Sequence, residues 1–280
     1  MSEAEMPPRG TYVEDILTDL DSQSLALAIE QNLYDVFRAY AQHRVRHFEP
    51  DVSWVITTPA PWPSYVYDAR FDSDRVEQRL QEVVERMRAG LAPPCWMVGP
   101  STQPQDLGQR LEKHGLSPVG EALGMAVELA RLREHPVPPG LEILRVRDTA
   151  TLRQWAATMV EGMFGGGEGD AQAFYDLIAD LDLPEGSGFY LGLYEGQPVA
   201  TSALYLSSGV AGINHVVTLA PYRNRGIGKQ ITLAPLRDAR DRGYRAGILQ
   251  ASALGAVIYR QIGFLEYCRI GEYGLPLVGG

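Results

Sequence analysis

The chain has 280 residues, 45% of them hydrophobic and 21% charged, with 25 basic against 35 acidic side chains and a formal charge of −10. This length accommodates two cores of ordinary size, and the composition excludes a disordered or fibrous protein. The acidic balance, with no basic stripe, speaks against a nucleic-acid partner, and Cys95 and Cys268 alone supply neither a disulfide framework nor a thiolate metal site.

In chain order, a helix is predicted over 22–43, with Leu25, Ala28, Ile29, Leu33 and Phe37 at helical spacing. Strands follow at 52–57 and 65–69. A second helix starts after Asp72 and Ser73 as caps and sets Val76, Leu80, Val83, Val84 and Met87 on one face. A strand at 96–98, a helix at 105–113 and a strand at 124–129 complete the first half. Residues 131–140 carry Pro136, Pro138, Pro139 and Gly140 and read as a linker, so the domain boundary is placed there.

Beyond it come a strand at 141–146, a helix at 149–164, a glycine-rich loop at 165–170 and a helix at 171–181. Residues 188–194 and 198–205, joined by Glu195-Gly196, form a hairpin. A strand at 211–219, a helix beginning at Gly226, a strand at 246–250, a helix at 254–262 and a strand at 264–270 close the chain. This order makes a mixed α/β sheet. Both halves end in a helix, a glycine, an apolar residue and a strand (Gly115-Leu116 and Gly263-Phe264), a faint sign of duplication.

The segment Arg223, Asn224, Arg225, Gly226, Ile227, Gly228, Lys229 joins a strand to a helix. Unpaired N–H groups at a helix N-terminus and the helix dipole both favour a pyrophosphate there. Glycines let the backbone approach closely, and the three basic side chains screen the phosphates. A Walker A loop requires glycine at 223 and Ser or Thr at 230, where Arg223 and Gln230 stand. A dinucleotide fingerprint requires a small residue at 231, where Ile231 stands.

With Arg223, Gly226 and Gly228 in that spacing, and Tyr259 through Phe264 downstream, the C-terminal half resembles the GNAT superfamily of acyl-CoA-dependent N-acyltransferases. The resemblance covers 141–273. It implies two GNAT-like domains in tandem: 1–135, a degenerate copy without a phosphate turn, and 140–280, the acetyl-CoA-binding catalytic domain. Acetyl-CoA is then the acyl donor, no metal is needed, and the partner is a small-molecule amine rather than nucleic acid or a membrane. Main-chain groups of Val216, Val217 and Thr218 pair with the pantetheine arm where two strands splay apart. Ser252 takes the place of a CoA-contacting asparagine, and Tyr259 meets the thioester sulfur as general acid.

The base stays open. The family positions fall on Gly212 or Asn214, and Asn214 can position a relaying water. His215 has suitable chemistry, but strand alternation turns it to the opposite face unless a bulge intervenes. No Lys or Arg lies between Arg153 and Arg223, while Glu161, Glu168, Asp170, Asp176, Asp180, Asp182 and Glu185 fall on the segments bordering the implied acceptor pocket. This is either a cationic acceptor's surroundings or a solvated acidic face. Rival readings on the same fold are an enzyme acting on carrier-bound acyl groups and a CoA-binding module without turnover. No run of about 18 apolar residues occurs and the N-terminus lacks signal-peptide features, so a cytoplasmic monomer or homodimer is expected.

Overall fold

A computed structural model describes residues 15–41, 45–57 and 64–276. The N-terminal decapeptide and the last residues of the first predicted helix, Gln42 and His43, lie outside them. Helix α1 spans Ser22–Tyr40, with the Asp21 carboxylate accepting from the Ser24 N–H at 2.8 Å. Strands β1 (Val45–Glu49) and β2 (Val52–Ile56) form a hairpin, and β3 (Tyr65–Tyr67) follows. Helix α2 (Val76–Arg88) begins later than the sequence suggests. Arg75 is its uncapped N-cap, because Asp72 to Arg75 close a turn of their own, with the Arg75 N–H on the Asp72 carbonyl.

Next come β4 (Cys95–Val98), α3 (Leu107–Lys113) and β5 (Ser117–Glu128). The second half runs β6 (Leu141–Arg145), α4 (Thr149–Phe164), α5 (Glu168–Ile178), β7 (Gly188–Tyr194), β8 (Gln197–Ser207) and β9 (Val210–Thr218). It ends with α6 (Ile227–Asp241), β10 (Ala246–Ala251), α7 (Ala253–Gln261) and β11 (Leu265–Gly274). Gly165, in the left-handed region at φ 65°, stops α4, so the glycine loop shrinks to 165–167. Among the described residues no helix is long and apolar enough to cross a membrane.

All these strands join one mixed sheet in the order β1-β2-β3-β4-β11-β5-β10-β9-β8-β7-β6. The two halves exchange their last strands: β5 lies between β11 and β10, and β11 lies between β4 and β5. The segment after β5 is a packed strap rather than a free linker. Gln230 Nε2 donates to the His135 carbonyl at 2.7 Å, and Glu134 pairs with Arg237.

Helices α6 and α7 cover one face of the second half's strands, where Ala211, Ile213, Ile231, Leu236, Leu249 and Phe264 are buried together. Helices α4 and α5 cover the other face, around Trp155, Phe174, Leu191 and Val217. Helix α1 crosses this second face, packing Val36 and Tyr40 into that cluster and Leu25, Ala28 and Ile29 onto Val210, Ala246 and Ile248. Its seat on β9 requires Gly212. A Cβ there would lie 1.9 Å from Asn32 Oδ1, and Asn32 is fixed by its Nδ2, which donates to the carbonyls of Tyr205 (3.1 Å) and Ser207 (3.2 Å) and to Ser207 Oγ (2.8 Å). Overpacking of this kind costs about 1–3 kcal/mol, so Gly212→Ala is expected to lower the unfolding free energy by that amount in urea titration. Because the clash is with Asn32, the Asn32→Ala/Gly212→Ala double variant is expected to be less destabilised than the sum of its parts.

Candidate active site

Strand β9 carries three irregularities that together make a site. The first is on its β10 side. The two strands pair in parallel only at Ala211↔Gly247 and Gly212↔Ile248. Beyond Gly212 the β10-facing edge of β9 has no ladder partner among the described residues, which leaves main-chain N–H and C=O groups in need of one.

The second is a bulge on its β8 side. The register passes from Ala203↔Asn214 to Thr201↔Val217, so β9 holds one residue more than its partner, and His215 takes φ 53°. Thr201 Oγ1 donates to the His215 carbonyl at 2.8 Å and fixes the kink. The bulge resolves the question that alternation leaves open. Asn214 and His215 project on the same face, that of α1, α4 and α5, and line one cavity with Tyr40.

His215 is 6% exposed, its Nε2 lies 2.8 Å from the Tyr40 hydroxyl, and the rings of Trp155 and Phe174 surround it. Burial lowers its pKa from 6.5 to about 3. A neutral imidazole so weakly basic is a poor acceptor for an ammonium proton, which argues against the base role. The shift also couples to stability. Below about pH 6.5 the unfolded chain takes up a proton that the native chain refuses until near pH 3, so stability falls with falling pH across that window, by about 1.4 kcal/mol per unit. In urea titrations at pH 6.5 and pH 5, the wild type is expected to lose about 2 kcal/mol more than His215→Gln; equal losses would show that His215 does not titrate out of the fold.

The third irregularity is the exit from β9. After Thr218 a 3-10 turn at Ala220–Tyr222 leads to Asn224 at φ 62° and Gly226 at φ 81°, the N-cap of α6. No side chain caps this helix, so the orphan amides at its start stay available. Arg223 Nε donates to the Thr218 carbonyl at 3.0 Å and ties the turn to the strand end. Arg225 lies over the rings of Tyr194 and Tyr222, and Lys229 makes no ion pair among the described residues. Ile227 is buried and anchors the first turn of the helix. A Cβ on Gly228 would lie 3.5 Å from Thr218 Oγ1 and 3.9 Å from Ile258 Cδ1, so β9, α6 and α7 converge here.

Val216 and Val217 stand between bulge and turn, Val216 toward the α6 side and Val217 toward α4, where Gly162 makes room for it. Ser252 is exposed and caps α7, its Oγ accepting from the Gly255 N–H at 3.2 Å. Tyr259 packs its ring on the α6–α7 core beside Phe264, centroids 5.9 Å apart, and its hydroxyl makes no hydrogen bond among the described residues. Burial lifts this phenol to about 12.

Sequence reasoning missed the contribution of α1. Val36, Ala39 and Tyr40 line the cavity with Asn214 and His215, yet in the sequence they fall outside the apolar stripe of Leu25, Ala28, Ile29, Leu33 and Phe37 and carry no local sign of a site. The seven acidic residues from Glu161 to Glu185 named above are all exposed, and none of them is among the described residues lining the cavity.

Comparison with known proteins bears on the fold. Residues 151–264 match the model of the Acetyltransferase (GNAT) family. Among solved structures, a GCN5-related N-acetyltransferase from Kribbella flavida superposes with TM-score 0.68 at 21% identity, over 91% of this chain and 97% of that one. Another GCN5-related N-acetyltransferase, from Sphaerobacter thermophilus, gives 0.60 at 20% identity, over 92% and 93% of the two chains. A tandem GNAT protein from the clavulanic acid biosynthesis pathway gives 0.57 at 11% identity, over 92% and 96%. A search of curated proteins returns no match. Residues 151–264 of this chain thus match the acetyltransferase (GNAT) family model, and they lie within a mixed sheet that shares its fold with these solved GNAT structures.

Proposed function

We propose that the second half, residues 140–280, binds acetyl-CoA and transfers its acetyl group to a small-molecule amine. The observation that carries this reading is the convergence of the open edge of β9, the uncapped N-terminus of α6 and helix α7, which carries Tyr259. The residues present fit such a donor. Val216, Val217 and Thr218 offer the main-chain edge on which an amide-bearing arm can be held as an added strand. The amides of 226–229, with Arg223, Arg225 and Lys229, suit a pyrophosphate, and the hydroxyl of Ser252 lies at the neighbouring helix start. Leu254, Val257 and Ile258 expose an apolar face of α7 beside them.

Acetyl-CoA, when bound, supplies an activated thioester carbonyl and a thiolate leaving group. The chain's part is to hold a proton at Tyr259 Oη for that thiolate, and to present bulge N–H groups to developing negative charge. No carboxylate stands at 212 or 214, so the amine reacts in its neutral form, with Asn214 placed to order a water. We also infer that residues 1–135 are a degenerate copy. In both halves a parallel strand pair flanks a helix, β3 and β4 around α2 and β9 and β10 around α6, before a further helix and a last long strand. In the first half, the stretch from Asp72 to Arg75 that precedes α2 is acidic and holds no glycine, which leaves nothing to cradle phosphate.

Calorimetric titration with acetyl-CoA, followed by thiol release across a panel of amines, tests the reading. Micromolar binding and amine-dependent release are expected. Binding without release from any amine or any acyl-carrier substrate would reduce the protein to a CoA-binding module.

A further inference from the structure

Gln230, in the first turn of α6, is only 1% exposed, an unusual place for a side chain that carries both donors and an acceptor. A Walker A loop has Ser or Thr at this position, serving the metal at the phosphates; here the side chain engages the strap between the two halves instead. Its Nε2 donates to the carbonyls of His135 (2.7 Å) and Pro136 (3.3 Å), and its Oε1 accepts from Arg237 Nη2 at 3.4 Å. Arg237 returns to the strap through its ion pair with Glu134. The Gln230 N–H also closes the first turn of the helix, donating to the Gly226 carbonyl at 3.3 Å. One residue thus ties together the strap, the helix and its N-cap glycine.

The strap in turn braces the segment from Arg223 to Lys229 from outside. Pro138 Cγ stands 3.6 Å from the position a Cβ would take on Gly226. The Leu141 N–H donates to the Pro138 carbonyl at 3.1 Å and the Glu195 N–H to the Gly140 carbonyl at 2.9 Å, which fixes this end of the strap to the β7–β8 corner. That corner carries Tyr194, whose ring lies beneath Arg225. At the other end, the Arg133 N–H donates to the Ile262 carbonyl at 3.2 Å, and His135 Nε2 lies 3.2 Å from the Gln261 carbonyl, at the end of α7. Arg223 to Gly226 are all exposed, and Asn224 and Gly226 sit at positive φ with no side chain capping the helix. Glycine has the most backbone freedom to lose, so such a turn keeps its amides aimed at one point when something outside it limits its motion. Preorganisation of that kind raises affinity by lowering the cost of ordering the site.

We infer that Gln230 is a positioning residue for the acyl donor: by pinning the strap it holds Pro138 against Gly226 and keeps the amides of 226–229 set for a pyrophosphate. The link between the halves thereby becomes part of the donor site, which extends beyond residues 140–280. This rests on the acetyl-CoA reading above.

Calorimetric affinity of the full chain for acetyl-CoA, read together with amide hydrogen exchange, tests this. Gln230→Met keeps nearly the same length and volume, the kind of swap a packed site tolerates best, and removes the hydrogen bonds to the strap. It is expected to weaken acetyl-CoA binding at least tenfold, about the worth of one net hydrogen bond. Exchange is expected to quicken in peptides covering 131–141 and 222–230, while the strands of the sheet keep their protection. In thiol release, KM for acetyl-CoA is expected to rise with kcat within twofold. S-acetylpantetheine has the thioester but neither the pyrophosphate nor the nucleotide, and it is expected to serve wild type and variant with equal kcat/KM, a result that general loosening of the fold would not give. Glu134→Gln cuts the strap's tether to Arg237 at the surface and keeps the test decisive should Gln230→Met fail to fold; at least a threefold loss of acetyl-CoA affinity is expected. No acetyl-CoA binding by the wild type would refute the donor reading itself. Wild-type affinity in both variants, equal losses for acetyl-CoA and S-acetylpantetheine, or faster exchange spread across the sheet would each overturn the role given to Gln230 and leave that reading standing.

Discussion

Gly226→Val is expected to weaken acetyl-CoA binding at least 100-fold while leaving a folded protein. The residue sits at φ 81°, where a β-branched side chain is a genuine outlier and even an unbranched one costs about 1–2 kcal/mol. Space is not the obstacle, since the nearest atom to an added Cβ is Pro138 Cγ at 3.6 Å. Relief therefore comes through rotation of the backbone, and that turns the amides at the start of α6 away from their common focus. A 100-fold loss corresponds to about 2.7 kcal/mol, a reasonable sum for several amide contacts to a pyrophosphate lost together. Gly228→Ala is the informative companion. Its backbone is helical, so alanine favours the helix by about 1 kcal/mol, but its methyl enters the angle between Thr218 and Ile258. Thermal unfolding is expected to hold or rise in Gly228→Ala while calorimetric affinity falls. Micromolar affinity retained in Gly226→Val would show that the turn does not hold phosphate.

The contrast between these glycines and Gly212 explains what the sequence made legible. The turn from Arg223 to Lys229 and the tyrosine at 259 are local patterns, and the physics behind them, orphan amides and positive φ, acts over a few residues. The strands and helices of the second half follow from periodicity for the same reason, with ends displaced by no more than four residues, the largest shift at the end of β11. The extra length of β5 was not legible. Residues 117–121 are exposed and rich in Gly, Pro and Glu, and they become a strand only because β11 lies alongside them. The bulge was legible only as a condition, because the extra residue is defined by the partner strand β8. Helix α1 over the site was beyond reach. Asn32 meets Ser207, and Tyr40 meets His215, each across 175 residues of chain, and neither contact leaves a local trace. Gly212 therefore reads as a lost catalytic position in the sequence, whereas in the fold its missing side chain is what lets α1 sit on β9.

Tyr259→Phe is expected to lower kcat by about 10²-fold or more, the lower range for loss of a general acid, with acetyl-CoA affinity unchanged. The substitution is structurally mild. The ring keeps its packing beside Phe264, and no hydrogen bond among the described residues is lost with the hydroxyl. Calorimetry and thermal unfolding should therefore match the wild type, so that a fall in turnover reports on proton transfer alone. Burial, which lifts the phenol to about 12, makes the role one-directional. The hydroxyl stays protonated through the working range, which suits the proposed donor to a departing thiolate and not a base toward an amine. Its deprotonation can produce no alkaline limb in the kcat profile of the wild type below pH 10, so any rise of kcat between pH 6 and pH 9 belongs to the amine losing its own proton. Carrying that rise unchanged into Tyr259→Phe, at a lower plateau, would separate the two proton transfers; a kcat within threefold of wild type would remove Tyr259 from the chemistry.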